Sequence, residues 1–282
     1  MYICPTCKYT EHKDIYAIDQ GKLISCQNCK LVFYVPRPTA EELTNFYNHQ
    51  AYRQDYAQSV MSSPDFVANR YQDLKQIVSK YDPHLFNRKD KIFLDIGCGL
   101  GSLLQQAIAD QWQVQGTEIS PEAVLQANID IRDRILVGDI LSLDLPEQYF
   151  DLITIYHVIE HLIDPMAVLN KIQKLLKPDG ILFIETPNLD SLGAKIRGKN
   201  WSNIIPPEHI NYYNPKSIAN SLKVAGFAKF KVFTNTPYKI ESISKWSKPI
   251  QTLARSIYQI TPIFGMGAAL QAVVFSSSIT KS

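Results

Sequence analysis

From residue 91 the chain alternates short apolar stretches with stretches of helical spacing, and this alternation limits the fold more than any other feature. "KIFLDI" reads as a strand, "GSLLQQAIADQ" as a helix and "WQVQGTEI" as a strand. "SPEAVLQAN" is a helix with Ser120 as cap and Pro121 at its first position, and "RILVGDI" and "YFDLITIY" are further strands. "DPMAVLNKIQKLL" is a helix capped by Asp164, and "KPDG" turns the chain into the strand "ILFIETPN". Strands that are apolar on both flanks need cover on both faces, and intervening helices supply it. The prediction is an α/β fold with a doubly wound, Rossmann-like parallel sheet. "PKSIANSLKVAGF" then reads as a helix ended by Gly226, "FAKFKVFT" as a strand, and "GMGAALQAVVFSSS" as the final strand.

Composition sets outer limits. With 45% apolar and 20% charged residues in 282, the chain is expected to fold. A net charge of +2 without long basic runs disfavours a nucleic-acid-coating surface. No apolar run approaches the roughly 18 residues of a membrane helix, and "MYICPTCKYT" is not a secretory leader, so a cytoplasmic protein is expected.

Four of the five cysteines form two C-x2-C pairs, Cys4/Cys7 and Cys26/Cys29. In a reducing compartment this spacing lets four thiolates reach one tetrahedral ion, which predicts a structural Zn2+ with no open position. Residues 1–35 therefore read as a zinc ribbon whose second knuckle runs into "LVFYV". Residues 36–90 read as a helical connector or lid, with Thr39 and Glu42 forming a capping box and Tyr47, Tyr52, Tyr56 and Tyr71 adding aromatic bulk. Residues 91–282 form the α/β domain, with an amphipathic insertion at 241–262 that includes Trp246 and Tyr258. The insertion suits packing on its own domain, a membrane surface or a dimer contact.

The first strand ends in "FLDIGCGLGS", three glycines in five positions after a single acid. Such a turn brings backbone N–H groups and a helix N-terminus close to a ligand. The pattern G-x-G-x-G differs from the dinucleotide fingerprint, and Asp95 can accept bonds from a cationic or amino group, which a pyrophosphate does not offer. Glu118 at the end of the second strand can hold two ribose hydroxyls. Asp139 after the third can accept from an adenine amine while Ile140 covers the ring. Acids at three successive strand ends outline an amino acid nucleoside.

"FLDIGCGLG", "GTEIS", "GDI", "FDLITIYHVIEHLIDP" and "LLKPDGILFIETPN" resemble, in order, the motifs of class I S-adenosylmethionine-dependent methyltransferases over roughly residues 90–235. The resemblance implies a seven-stranded sheet whose last strand is antiparallel, with S-adenosyl-L-methionine across the carboxyl ends of the first strands. It implies that Gly97, Gly99 and Gly101 approach the methionine part, Glu118 the ribose and Asp139 the adenine. Asp95, Cys98, Ile119, Ile140, Tyr156 and His157 complete the expected cofactor set. The ribbon and "PRPTAEELTNFYN" look like a subgroup of sugar and natural-product methyltransferases.

Methyl transfer needs alignment of an acceptor and, for a protonated nucleophile, a base. "HVIEH" supplies His157, Glu160 and His161. Its H-x-x-E-H spacing also occurs in metalloproteases, but there it lies within a helix, whereas here it falls on a strand-to-helix loop. Pocket structure, proton transfer and divalent-metal binding all stay open for it. Quinone-pathway O-methyltransferases look similar here and bind metal with a Glu where this chain has His157. In "WSNIIPPEHINYYNPKS", Glu208, His209, Tyr212 and Tyr213 follow a stiff Pro-Pro loop on the expected acceptor side. His209 is the first choice of base, with Glu208, Tyr212 and His157 as further candidates. Cys98 suits packing better than nucleophilic attack.

The expected activity is methyl transfer to oxygen or carbon of a small molecule, such as a sugar, nucleotide sugar or other biosynthetic intermediate. The alternatives are ribbon-guided RNA base methylation and a non-catalytic cofactor-binding scaffold. The sequence leaves the oligomeric state open.

Overall fold

The computed structural model of the chain describes residues 2–47, 64–236 and 248–276. Tyr52, Tyr56, Trp246 and residues 241–247 of the insertion lie outside the described residues.

Two sheets organise the fold. The small sheet contains β1 (His12–Ile18), β2 (Gly21–Cys26) and β3 (Val32–Val35). The capping box before helix α1 (Ala40–Tyr47) is made as expected: Glu42 N–H donates to Thr39 Oγ1 at 3.1 Å and Thr39 N–H to Glu42 Oε2 at 2.7 Å. Helix α2 (Pro64–Ser79) then leads into the alternating region.

That region begins with β4 (Ile92–Ile96), α3 (Ser102–Ala109) and β5 (Gln113–Glu118). It continues with α4 (Pro121–Gln126), α5 (Ile129–Arg132), β6 (Ile135–Val137), β7 (Phe150–Tyr156) and α6 (Pro165–Leu175). β8 (Leu176–Pro187), α7 (Leu192–Arg197), β9 (Asn211–Tyr212), α8 (Pro215–Val224) and β10 (Lys229–Asn235) follow, then α9 (Lys248–Ile260) and β11 (Ala269–Phe275). The large sheet has the order β10-β11-β8-β7-β4-β5-β6. β4 to β8 run parallel, and β11 is inserted antiparallel between β8 and β10. This is the doubly wound seven-stranded arrangement with an antiparallel last strand.

Alternation along the strands sorts side chains to two faces. Leu94, Ile96, Ile153, Ile155 and Ile184 pack with Leu169 and Ile172 of α6 on one face. Phe93, Leu152 and Phe183 pack with Leu74 of α2 and Leu104 and Ala107 of α3 on the other. All seven residues of β7 are buried, as a central strand covered twice must be. "KPDG" differs from the simple turn expected of it. It sits within β8 as an irregularity, where Phe150 pairs with Leu176 but Leu152 with Ile181, so the surplus residues are looped out without ending the strand.

The ribbon does not close its sheet alone. β9, which comes from the far side of the α/β region, adds to β3 with Val32 opposite Tyr212 and Phe33 opposite Asn211. Cys4, Cys26 and Cys29 share one buried cluster with Ile218 and Leu222 of α8. Asn220 Nδ2 donates to Cys29 O at 3.0 Å. The ribbon thereby fixes the position of β9 and the loop before it.

Candidate functional site

The glycine turn between β4 and α3 is built from left-handed backbone: φ is +70° at Gly97, +54° at Gly99 and +70° at Gly101. Only glycine adopts these angles without strain. A Cβ at Gly97 would stand 2.5 Å from Val158 Cγ2, and one at Gly101 would strike Ile131 Cδ1. The turn leaves room for backbone alone. Cys98 lies beneath it, its Sγ against Gly116, and burial pushes its thiol well up, away from the thiolate a nucleophile needs.

Three acids stand along this edge. Asp95 is buried, accepts Thr154 Oγ1–H at 2.6 Å, and is pushed up to about 7 by desolvation. Glu118 accepts Gly99 N–H at Oε2 and Ser120 N–H at Oε1, both at 2.9 Å, and burial raises it as well. Asp139, two residues beyond β6, is exposed and accepts Leu141 N–H at 2.9 Å. The neighbours differ from each other: Ile119 is exposed, whereas Ile140 is buried in the core cluster, so its side chain serves packing.

At the ends of β7 and β8 a second polar group forms. His157, at φ +52°, has Nδ1 at 3.2 Å from Glu160 and Nε2 at 3.4 Å from Glu185, and both carboxylates are buried. Each ring nitrogen of His157 thus stands beside a carboxylate oxygen. Thr186 Oγ1 donates to Glu160 at 2.9 Å and Gln271 Nε2 to Glu185 at 2.6 Å. Burial alone would raise Glu160, but His157 and His161 outweigh it and hold the carboxyl down at about 2. Glu185 is lowered for the same reason, with Arg70 of α2 adding to His157 against burial. Arg70 lies 3.4 Å from Glu185 and 4.6 Å over the Tyr156 ring.

His209 is brought beside this group, its ring 4.8 Å from that of His161 and nearly perpendicular to it. Nδ1–H donates to Asn203 O at 2.9 Å, which leaves the lone pair of the neutral ring on Nε2. Burial first, then the neighbouring His161, lowers His209 to about 4. The loop is pinned from below, since Ile210 and Asn211 N–H both donate to Glu160 O at 3.0 Å. Glu208 contributes its carbonyl, which accepts from His161 Nδ1 at 2.9 Å. Tyr212 is not brought in. It packs with Leu23, Val32 and Trp201, its hydroxyl donates to His209 O at 2.7 Å, and burial raises it.

Ligand atoms of Glu160, His161 and His209 lie within 4.8 Å of one another. A divalent-cation reading of "HVIEH" would therefore use His209 where the sequence suggested His157. The four ribbon sulfurs also lie within 4.8 Å of one another, with Cys4 and Cys29 3.4 Å apart and Cys7 and Cys26 3.5 Å apart. Four sulfurs around one zinc ion stand about 3.8 Å apart. Each knuckle closes with the same backbone bond, Lys8 N–H to Cys4 O and Lys30 N–H to Cys26 O, and both lysines take left-handed φ. The donor set and its spacing fit a tetrahedral ion.

Sequence reasoning missed Glu185, Arg70 and Arg37. Glu185 did carry a signal, being a lone acid in an apolar strand like Asp95. Arg37 donates to Leu162 O, Ile163 O, Ile210 O and Asn211 Oδ1 at 2.7 to 3.1 Å, so it ties the loop after β7 to the His209 loop.

The methyltransferase-domain family model matches residues 66–232. An uncharacterized protein of Methanocaldococcus jannaschii is 28% identical over 184 residues, 64% of this chain and 71% of that protein. Ubiquinone biosynthesis O-methyltransferases of Pseudomonas entomophila and Xanthomonas campestris are 34% and 35% identical over 106 and 146 residues. Those matches take up 35% and 47% of this chain and span 45% and 60% of those relatives. Among solved structures, an S-adenosylmethionine-dependent methyltransferase of Archaeoglobus fulgidus superposes with a TM-score of 0.56 at 21% identity, covering 79% of this chain and 99% of that one. Another, of Thermotoga maritima, gives 0.53 at 16% identity, covering 83% and 99%.

Proposed function

The chain belongs to the S-adenosylmethionine-dependent methyltransferase family, and from that premise we propose that it moves the sulfonium methyl group to oxygen or carbon of a small-molecule acceptor. The observation that carries this reading is the bare glycine turn braced by Glu118 at the carboxyl ends of β4 and β5. In the proposed arrangement the turn passes along the methionine part of S-adenosylmethionine, with Asp95 facing its cationic end. Glu118 has acceptor capacity left for ribose hydroxyls, and Asp139 meets the adenine edge.

The acceptor lies between the methyl group and the His209 loop. Its nucleophile attacks the methyl carbon as the carbon–sulfur bond breaks, S-adenosylhomocysteine leaves, and the acceptor proton passes to His209 Nε2. A base held at about 4 is neutral at working pH but weak. That strength suits a phenol or enol better than an aliphatic hydroxyl. The O-methyl transfer named for the ubiquinone biosynthesis relatives agrees with an oxygen acceptor. His157, held between the carboxylates of Glu160 and Glu185, serves pocket electrostatics and orientation.

We further propose that Cys4, Cys7, Cys26 and Cys29 hold a structural zinc ion, whose role is to fold the ribbon that carries β9. Release of S-adenosylhomocysteine across a panel of small phenols, enols and nucleotide sugars tests the reading. Turnover that falls 10²–10⁴-fold in His209→Ala is expected, and full activity in that variant overturns the choice of base. A strongly salt-dependent affinity for RNA with no small acceptor used would overturn the acceptor class.

A further inference from the structure

One part of the surface is left unused by the methyl-transfer reading. α9 runs directly into a 3-10 turn, Thr261–Phe264, and four apolar side chains of this rim are exposed. Ile257 is 41% exposed, Ile260 50%, Ile263 78% and Phe264 68%. Their spacing of three and four residues sets them along one stripe.

The exposure is imposed by a fixed turn. Thr261 is buried and its hydroxyl donates to Tyr258 O at 2.8 Å, while Thr234 Oγ1 donates to Pro262 O at 3.2 Å. Gly265 closes the turn at φ +71°, and Asn188 Nδ2 donates to Gly265 O at 3.0 Å and Gly267 O at 2.7 Å. With the backbone held on both sides, Ile263 and Phe264 stand out as a wedge. An outward aromatic-aliphatic pair beside an amphipathic helix marks an interaction surface.

Charge selects the partner. The whole chain carries 29 basic and 27 acidic residues. Residues 248–268 depart from that balance, with Lys248 and Arg255 and no Asp or Glu. We propose that this rim docks on an anionic lipid bilayer, with Ile263 and Phe264 entering the headgroup–acyl boundary and the net positive charge of residues 248–268 drawing the segment to acidic headgroups. Asn188 follows Glu185 by three residues at the end of β8, so docking sets the carboxyl edge of the sheet next to the lipid surface. The proposal stands on surface residues and is independent of the acceptor reading.

Co-sedimentation of the full chain with phosphatidylcholine vesicles, with and without a quarter of phosphatidylglycerol, tests it. Binding to the anionic vesicles that weakens with added salt is expected, and the double variant Ile263→Ser/Phe264→Ser should lower the partition coefficient about tenfold or more. Both positions are exposed, so an unchanged thermal melt keeps the variant interpretable. Wild-type protein left in the supernatant with anionic vesicles, or a variant that binds equally well, overturns the proposal. A lipid-free wild-type dimer, seen by sedimentation velocity and dissociated by the double variant, would assign the surface to self-association and overturn it too.

Discussion

The Glu118 carboxylate accepts the backbone N–H of Gly99 at 2.9 Å, tying the end of β5 to the turn after β4. Its other oxygen accepts Ser120 N–H, so one side chain shapes the glycine turn and the start of α4 together. Glu118→Gln retains the shape but replaces one charge-assisted acceptor with an amide donor that faces a backbone N–H. We expect a 10–100-fold weaker Kd for S-adenosylmethionine, about 1.4–2.7 kcal/mol, measured by calorimetry.

Gly101→Ala places a methyl group against Ile131 at a backbone angle that alanine resists. A loss of about 1–3 kcal/mol in urea unfolding is expected. Gly193→Ala is the matched control, because a Cβ there meets nothing within 4 Å, and it should change stability by less than about 1 kcal/mol.

The acids of the site titrate in opposite directions. Asp95 is raised to about 7, so between about 4 and 7 the folded apoprotein holds a proton that the unfolded chain gives up, and this group lowers stability as pH climbs through that window. A cationic ligand displaces the proton. Affinity for S-adenosylmethionine should therefore rise as pH approaches 7 and level off above it, with proton release visible as a buffer-dependent binding enthalpy. Asp95→Asn should remove both effects. Glu160, held at about 2, contributes stability that is full above about 4.5 and is lost as pH falls toward 2, where thermal melts should show the decline.

How much of this was legible follows from which residues carry periodic signals. β4, β7 and β8 were readable because each is an apolar run, β5 (QVQGTE) was readable from its place between two helices, and Ser120 and Asp164 cap helices where the sequence placed them. β6 is only Ile135–Val137, shorter than "RILVGDI" suggested, because Gly138 turns away at φ +144°. The pairing of β3 with the two residues of β9 was invisible, since a two-residue strand has no period and its partner lies about 180 residues away. Arg37 and Arg70 were equally hidden: a lone arginine in a sequence gives no sign of which carbonyl or carboxylate it will meet. The clustering of the four cysteines and the placing of Asp95, Glu118 and Asp139 near successive strand ends could be read, because C-x2-C spacing and a single acid closing a strand are visible in the sequence.

Loss of the zinc ion proposed for the ribbon should be felt at a distance. Cys29→Ser is expected to lower bound zinc from one ion per chain to below half. It should also destabilise the fold by several kcal/mol, since the ribbon cluster shares its core with Ile218 and Leu222 and holds β9. Metal analysis and hydrogen exchange at residues 209–213 check both parts.

Titration of the full chain with S-adenosylmethionine tests the central claim most directly. One molecule bound per chain is expected, with affinity reduced by Glu118→Gln and by Asp95→Asn while His209→Ala leaves it within about twofold of wild type. Absence of binding heat at every pH and temperature tried, or affinity unaffected by both acid replacements, would contradict it.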